Sequence, residues 1–347
     1  MTARPPATIG LLHQGARRSA ATIARARLER ALEKAAPLLV VVDQDPASTI
    51  ANEEVHGFRV ALRRLRSWLR ASGDLLRDDV SRDARSALRR MARRAGAARD
   101  AQVQWTWLIA PAMRLGAPAA RAAQWLAAER VTLYAGEREQ LQRRVAAHWP
   151  QLATTLAASL TAHGEAPARP AEPTLAQHLA PALAHDLELA RRALDRIEHP
   201  SQDALIHRAR IKVKRLRYLL EALEHRSPHR TRALAQLRLL QEALGELRDA
   251  HEMSDLLLPL IATRRGSRRP AVWRPAVRRP PLRDLRALRA ALRRRELAAF
   301  RQSLDLAGSL EVERAWQYIA SLAILLAAPR EPAAPPTPRP ANARPDR

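Results

Sequence analysis

Apolar residues recur at intervals of three and four along most of the chain, which is the period of an α-helix. No segment keeps the alternation of apolar and polar residues that is typical of a half-buried strand. Alanine, leucine and arginine, which favour helices, are abundant, and glycine contributes only 11 of 347 residues. The pattern therefore predicts an all-α fold.

Helix breakers divide this pattern, and Pro37, Gly73, Gly96 and Pro228 are expected to interrupt helices. The stretch 164–173, rich in proline, predicts a linker between an N-terminal helical half, 8–163, and a C-terminal half, 174–328. A basic, proline-rich segment, 264–281, is expected to be an insertion in the second half. The start, 1–7, and the proline-rich tail, 329–347, are predicted to be disordered.

An internal repeat relates the two halves. Segment 56–70 (HGFRVALRRLRSWLR) aligns without a gap with segment 207–221 (HRARIKVKRLRYLLE), at an offset of 151 residues. Both should be helices, the first starting at Asp45 and Pro46 and ending at Gly73, the second capped by Ser201. Each copy carries one apolar face, formed by Phe58, Leu62, Leu65 and Leu69 in the first and by Ala209, Val213, Leu216 and Leu220 in the second. We therefore predict two pseudo-symmetric helical bundles, with a basic groove or cavity between them.

A line of cations, which we call a basic stripe, runs beside each apolar face. The stripes consist of His56, Arg59, Arg63, Arg66 and Arg70 in the first copy and of His207, Arg210, Lys214 and Arg217 in the second. At ~1.5 Å rise per residue, neighbouring members start roughly 4.5–6 Å apart along the helix. Like charges at this spacing repel by ~0.2–0.5 kcal/mol per pair, so an anionic ligand is expected to relieve them. The planar guanidinium group of one arginine can donate to two phosphate oxygens at once, and a line of such cations suits a linear phosphate chain.

The overall charge agrees with an anionic partner but does not establish one. The net charge is +25, yet only Lys34, Lys212 and Lys214 are lysines, so a compositional bias towards arginine explains part of it. Position therefore carries more weight than total charge. Cysteine is absent, which excludes disulfides and thiolate chemistry. The start resembles no signal peptide, and the longest apolar run, 319–328, is shorter than the ~20 residues of a spanning helix, so we expect a cytoplasmic protein without a membrane span.

A second short motif follows each stripe. It reads Gly96-Ala-Ala-Arg99-Asp100 in the first half and Gly245-Glu-Leu-Arg248-Asp249 in the second. We expect each glycine to end a helix and each aspartate to cap the next one, with Asp249 and Glu252 forming a capping box. Arg99 and Arg248 are further candidates for ligand binding. A basic ladder without a counterpart in the second half is expected to be a solvated face; it consists of Arg82, Arg85, Arg89 and Arg93.

Three other functions were weighed against anion binding. Catalysis is disfavoured because the sequence contains no nucleophile–base arrangement, P-loop or carboxylate pair. In addition, the arginines beside His56 and His207 should lower the basicity of both histidines. Metal binding through histidines is the weaker alternative. Pro228 interrupts the pair His225 and His229, and His178 and His185 lie two turns apart without an obvious third ligand. Nucleic acid is the serious alternative, since arginine ladders attract any phosphate backbone. Against it, aromatic residues are only 3% of the chain and no nucleic-acid-binding motif is present.

The paired helices of the form H-x-x-R-x-x-x-[RK]-R-L-R, each followed by G-x-x-R-D, resemble the CHAD family, the conserved histidine α-helical domain. The resemblance covers roughly residues 8–328. It implies an all-α fold and the binding of inorganic polyphosphate, without catalysis and without a cofactor. Members of the family are often found at polyphosphate granules, so granule proteins are expected as further partners. By match, the ligand-facing residues would be His56, Arg59, Arg63, Arg64, Arg66, His207, Arg210, Lys214, Arg215 and Arg217. The triphosphatase motif E-x-E-x-K of some members is missing, so triphosphate hydrolysis is not expected.

Overall fold

Helices account for nearly all of the chain that the computed structural model describes, namely residues 8–40, 49–78, 80–110, 115–164, 172–223, 227–262 and 279–328. They are α1 (Thr8–Leu12), α2 (Ala16–Leu39), α3 (Thr49–Ala71), α4 (Arg82–Ile109), α5 (Ala117–Gly164), α6 (Leu175–Asp195), α7 (Asp203–Ala222), α8 (Pro228–Ala262), α9 (Leu282–Ala307) and α10 (Leu310–Ala327). Within these ranges there is no strand, only an isolated bridge between Gly15 and Thr174. The all-α prediction is confirmed.

Contacts between the helices join them into two groups of four. In the first group α2 packs on α3, α3 on α4, α4 on α5 and α5 on α2. In the second, α6 packs on α7, α7 on α8, α8 on α10 and α10 on α6, while α9 lies against α8 and α5. The groups meet where α3 contacts α7, and α4 also touches α8. The two helices that carry the basic stripes are therefore direct neighbours.

The apolar face of each repeat copy lies in the core, as predicted. Phe58 and Leu65 of α3 and Ala209 and Leu216 of α7 are all fully buried. The ring of Phe58 meets the edge of Trp149 from α5, with 5.3 Å between ring centroids. Because these faces point into the core, the residues beside them lie at its boundary, where the stripes are partly desolvated.

The helix starts agree only partly with the sequence-based expectations. Ser201 does not cap α7: Gln202 is the N-cap residue and makes no side-chain cap, whereas the Ser201 hydroxyl pairs with Nδ1 of His199 at 2.7 Å. Asp203 lies in the first turn of α7, where the helix dipole favours an acidic residue. Pro228 is the first residue of α8, a position that tolerates its missing N–H.

The predicted breaks at Gly96 and Gly245 are wrong. Both glycines lie inside long helices, α4 and α8, so Asp100 and Asp249 cap nothing and the proposed capping box with Glu252 does not form. A glycine inside a helix costs only about 1 kcal/mol, which burial of the rest of the helix outweighs. Pro37 lies in the last turn of α2, two residues before that helix ends.

Arg85 also departs from the solvated face expected for the ladder of α4. Its guanidinium donates to the backbone carbonyl oxygens of Leu69, Leu76 and Val80 at 2.8–3.0 Å. These carbonyls belong to the end of α3 and the turn after it, where backbone acceptors lack helical partners. Arg85 thus ties α4 to that turn, whereas the rest of the ladder, Arg82, Arg89 and Arg93, is exposed.

Several predictions fall on residues outside the described ranges. They concern the start, 1–7, the cap at Asp45 and Pro46, most of the linker 164–173, most of the insertion 264–281, and the tail, 329–347. The division into halves at 8–163 and 174–328 stays a prediction, as do the duplication and the groove.

Candidate functional site

Cations of the two basic stripes lie side by side where α3 packs on α7. Burial lowers the pKa of both Arg59 and Arg63, and the charge of Arg210 lowers both further. Arg63 also lies near Tyr218 of α7. On α7, the pKa of Lys214 is lowered first by burial and then by Arg210, Arg63 and Arg59. Residues that lie 151 positions apart in sequence are thus neighbours in space.

The Gly-x-x-Arg-Asp motifs of α4 and α8 extend this group. Nη2 of Arg59 lies 3.2 Å from Oδ1 of Asp100, and Arg99 acts electrostatically on Arg59. Burial raises the pKa of Asp249, Asp100 raises it further, and Arg210 and Lys214 lower it. The motifs therefore supply charged partners to the stripes. We call the assembly of Arg59, Arg63, Arg99, Arg210 and Lys214 with Asp100 and Asp249 the central cluster.

The central cluster holds more positive than negative charge in a partly desolvated place. Burial, followed by the charge of Arg63, lowers the pKa of Arg59 to about 10. Burial, followed by the charge of Arg210, lowers the pKa of Lys214 to about 6. A lysine with this pKa is mostly neutral at pH 7, because protonation would add one more buried cation. An anion placed in the cluster would reverse this effect and favour the charged forms.

Polar atoms without partners occur at matching positions of the two stripes. Nε of Arg59 and Nε of Arg210 are buried and make no hydrogen bond with the described residues. Both can only donate, so each lacks an acceptor. Buried polar groups are nearly always paired in folded proteins, so these two exceptions call for an explanation, and a bound anion is one.

The two repeat histidines have different surroundings. His56 is exposed, and its pKa is lowered by burial of part of the ring, then by Arg99, Arg59 and Arg63. Nε2 of His207 lies 3.4 Å from Nη1 of Arg248. Because arginine only donates, Nε2 is the acceptor, and a neutral His207 carries its proton on Nδ1. That Nδ1 is buried and makes no hydrogen bond with the described residues, so it is a further donor without an acceptor.

Arg99 and Arg248, which match each other in the two motifs, are both held by neighbours on their own helix. Nη1 of Arg99 donates to Oε1 of Gln102 at 2.6 Å, and Nε of Arg248 donates to Oε1 of Glu252 at 2.5 Å. Within the central cluster, burial lowers the pKa of Arg99, and the charge of Arg63 lowers it further. Arg248 pairs with the carboxylate of Glu252 and lies beside Nε2 of His207.

Four other candidates lie away from the central cluster. Arg64 and Arg217 share the carboxylate of Glu221, with 3.1 Å between Nε of Arg64 and Oε2. Arg215 lies near Arg70 and lowers its pKa. The pKa of Arg66 is lowered by burial and then by the exposed arginines Arg89 and Arg93 of α4, together with Arg63 and Arg70.

Sequence reasoning missed the acidic and aromatic members of the site. Asp100 and Asp249 were interpreted as helix caps, although their repetition beside an arginine in both halves was the available signal. Tyr134 of α5 is fully buried, and burial raises its pKa to about 12, while Arg138 and Arg99 act to lower it. No pattern in the sequence distinguishes Tyr134 from an ordinary core residue.

Other kinds of site find little support in the part of the chain that is described. No group of three or more His, Asp or Glu side chains there could hold a metal ion. None of the helices in these ranges is long and apolar enough to cross a membrane.

Comparison with known proteins places this arrangement in context. The family model described as the CHAD domain matches residues 38–258. The crystal structure of the CHAD domain from the plant Ricinus communis is similar with a TM-score of 0.61 and 21% identity, covering 84% of this chain and 92% of that chain. PptA from Streptomyces chartreusis is similar with a TM-score of 0.60 and 19% identity, covering 85% and 99%. No relative among the curated proteins matches. At these identities the structural likeness concerns the fold.

Proposed function

The chain belongs to the CHAD domain family, and from this premise we propose that it binds inorganic polyphosphate, without catalysis, in the central cluster between α3 and α7. The observation that carries the proposal is the pair of buried Nε donors on Arg59 and Arg210 in a cluster whose positive charge exceeds its negative charge. Phosphate oxygens would accept from both arginines and compensate the excess charge.

The chemistry of the site favours a thin, linear anion. The donors come from adjacent helices, and Arg59, Arg63, Arg210 and Lys214 are all partly buried. A polyphosphate chain presents oxygens all along its length, so successive phosphate groups can meet successive arginines. A nucleic-acid duplex is wide and carries its phosphates on the outside, so it could not bring them between two packed helices.

The proposed contacts follow the repeat. Arg59, Arg63, Arg99, Arg210 and Lys214 would bind phosphate directly, with His56, His207 and Arg248 at the edges. The remaining candidates, Arg64, Arg66, Arg215 and Arg217, would guide the chain outside the cluster. Binding of this kind needs no cofactor, and it would place the protein on polyphosphate granules in the cytoplasm, among their proteins.

Competition between two polyanions tests the proposal. Labelled long-chain polyphosphate is bound to the protein at physiological salt and then displaced by unlabelled polyphosphate or by duplex DNA. We expect polyphosphate to displace the label at much lower phosphate concentration than DNA. Equal displacement by both would indicate general attraction to phosphate backbones, and preference for DNA would assign the site to nucleic acid.

A further inference from the structure

A second basic cleft, of about 610 Å³, lies between α4 and α5 and outside the central cluster. We call it the α4–α5 cleft. Its charged lining consists of Arg90, Arg93, Arg94, Arg143, Arg144 and His148. A space of this size is within the usual range of small-molecule sites.

Helix geometry explains how these side chains come together. Arg90, Arg93 and Arg94 are three and four residues apart, so they share one face of α4. Arg144 and His148 are four apart on α5, which packs along α4. The two helices therefore present guanidinium groups to one space from opposite sides.

The carboxylates nearby neutralise only part of this charge. Arg94 pairs with Glu137 at 2.8 Å, and Arg143 lies 3.6 Å from Glu139 on its own helix. Among the described residues no carboxylate pairs with the remaining three arginines of the lining, Arg90, Arg93 and Arg144. No carboxylate of the described residues therefore offsets their mutual repulsion.

We propose that the α4–α5 cleft is a second phosphate-binding site, with Arg90, Arg93 and Arg144 as its main ligands. Three guanidinium forks from two helices can surround one phosphate group, and His148 adds a donor whose proton affinity rises when the anion is bound. The inference goes beyond the proposed function, which needs only the central cluster.

Arg66 lies between the two sites. Its side chain is partly buried on α3, and this burial lowers its pKa. The charge of Arg63 in the central cluster and the charge of Arg93 in the cleft lower the pKa further. The phosphate in the cleft could thus come from either of two sources, a continuation of the chain held in the central cluster or a separate anion. Both present the same phosphate oxygens to the cleft.

Titration calorimetry with tripolyphosphate tests the second site. The native protein should bind two equivalents, whereas the variant Arg90→Gln/Arg144→Gln should bind one. The matched control is Arg294→Gln/Arg301→Gln, which removes the same charge from two exposed positions of α9 and should still bind two. A single equivalent for the native protein that the cleft variant keeps, or two equivalents for the cleft variant, would overturn the inference.

Long-chain polyphosphate then distinguishes the two sources. If one chain spans both sites, the cleft variant binds it about 10-fold or more weakly than the control does, as expected for loss of charged hydrogen bonds. If the cleft takes a separate anion, the affinity for the long chain stays native and only the second tripolyphosphate site is lost. Failure of the proposed function would instead appear as native affinity in variants of the central cluster, so the two tests are independent.

Discussion

Arg59 of α3 and Arg210 of α7 occupy matching positions of the repeat, and each has a buried Nε without a hydrogen-bond acceptor among the described residues. They lie close enough for the charge of Arg210 to lower the pKa of Arg59. Two like charges held together in this way destabilise the free protein. Retaining them is understandable if an anion binds between them.

Gly245 gives Arg210 room to lie across α8. A Cβ atom at this position would come within 3.3 Å of Nη2 of Arg210, so Gly245→Ala should displace that guanidinium. Because alanine favours the helix, the variant should be as stable as the native protein or up to about 1 kcal/mol more stable. Its affinity for polyphosphate, measured by titration calorimetry, should fall roughly 3- to 10-fold through loss of one well-aligned hydrogen bond.

Gly96→Ala is the control, because it lies in the matching motif of α4 and its added Cβ would meet no atom within 4 Å. It should gain similar stability and keep native affinity. If both alanine variants bind alike, Arg210 is not positioned by the close approach at Gly245.

Lys214 should destabilise the unliganded protein at neutral pH. Its pKa is lowered to about 6 from 10.5, mainly by burial, so between these pH values the unfolded chain holds a proton that the folded chain lacks. The contribution of Lys214 to the free energy of unfolding therefore rises as the pH rises from about 6 to 10.5. Lys214→Met should raise that free energy by about 1–2 kcal/mol at pH 7, as found when buried charges are replaced by apolar residues of similar size.

Urea denaturation of both proteins at pH 7 and near pH 10 measures the difference. The advantage of Lys214→Met should shrink as the pH rises. A variant that is less stable than the native protein at pH 7, or an advantage that does not change with pH, would show that Lys214 is not held neutral in the fold.

Binding of polyphosphate should be coupled to uptake of a proton. Phosphate charge near Lys214 raises its pKa, so above pH 6 the complex holds a proton that the free protein lacks. The affinity should therefore fall as the pH rises from about 6 towards 10.5. Calorimetry at pH 8 in two buffers of different ionisation enthalpy measures the proton uptake, which Lys214→Met should reduce.

Arg85 should contribute to stability rather than to binding. Arg85→Ala leaves three backbone carbonyls without their charged donor, and we expect a loss of about 2–4 kcal/mol in the free energy of unfolding. Arg89→Ala, an exposed position one turn further along α4, should change it by less than about 0.5 kcal/mol. Equal effects of the two substitutions would contradict the assigned role of Arg85 at the end of α3.

The sequence predicted what depends on a single helix. Phe58, Leu65, Val213 and Leu216 are fully buried, as predicted. This prediction is possible because the helical period alone decides which face of a segment is apolar. The stripes next to these faces were predicted for the same reason, together with the identity of most cations in the central cluster.

Features that depend on contacts between helices could not be predicted in this way. Asp100 and Asp249 fit a local capping rule, but packing of the surrounding residues keeps α4 and α8 continuous and turns both carboxylates towards arginines of other helices. Likewise, no periodicity shows that Arg64 pairs with Glu221 at the end of α7, 157 residues away. Arg63 beside it lies instead near Tyr218 and Arg210 of the same helix.

The central claim is tested most directly by the affinity of the variant Arg59→Gln/Arg210→Gln for long-chain polyphosphate, with Arg294→Gln/Arg301→Gln as the control of equal charge. Each lost arginine removes charged hydrogen bonds worth about 1.5–3 kcal/mol, so we expect titration calorimetry to show at least a roughly 100-fold weaker complex. The control should stay close to the native affinity, and both variants should keep native helical circular dichroism. A folded Arg59→Gln/Arg210→Gln protein that binds as tightly as the control would contradict the account.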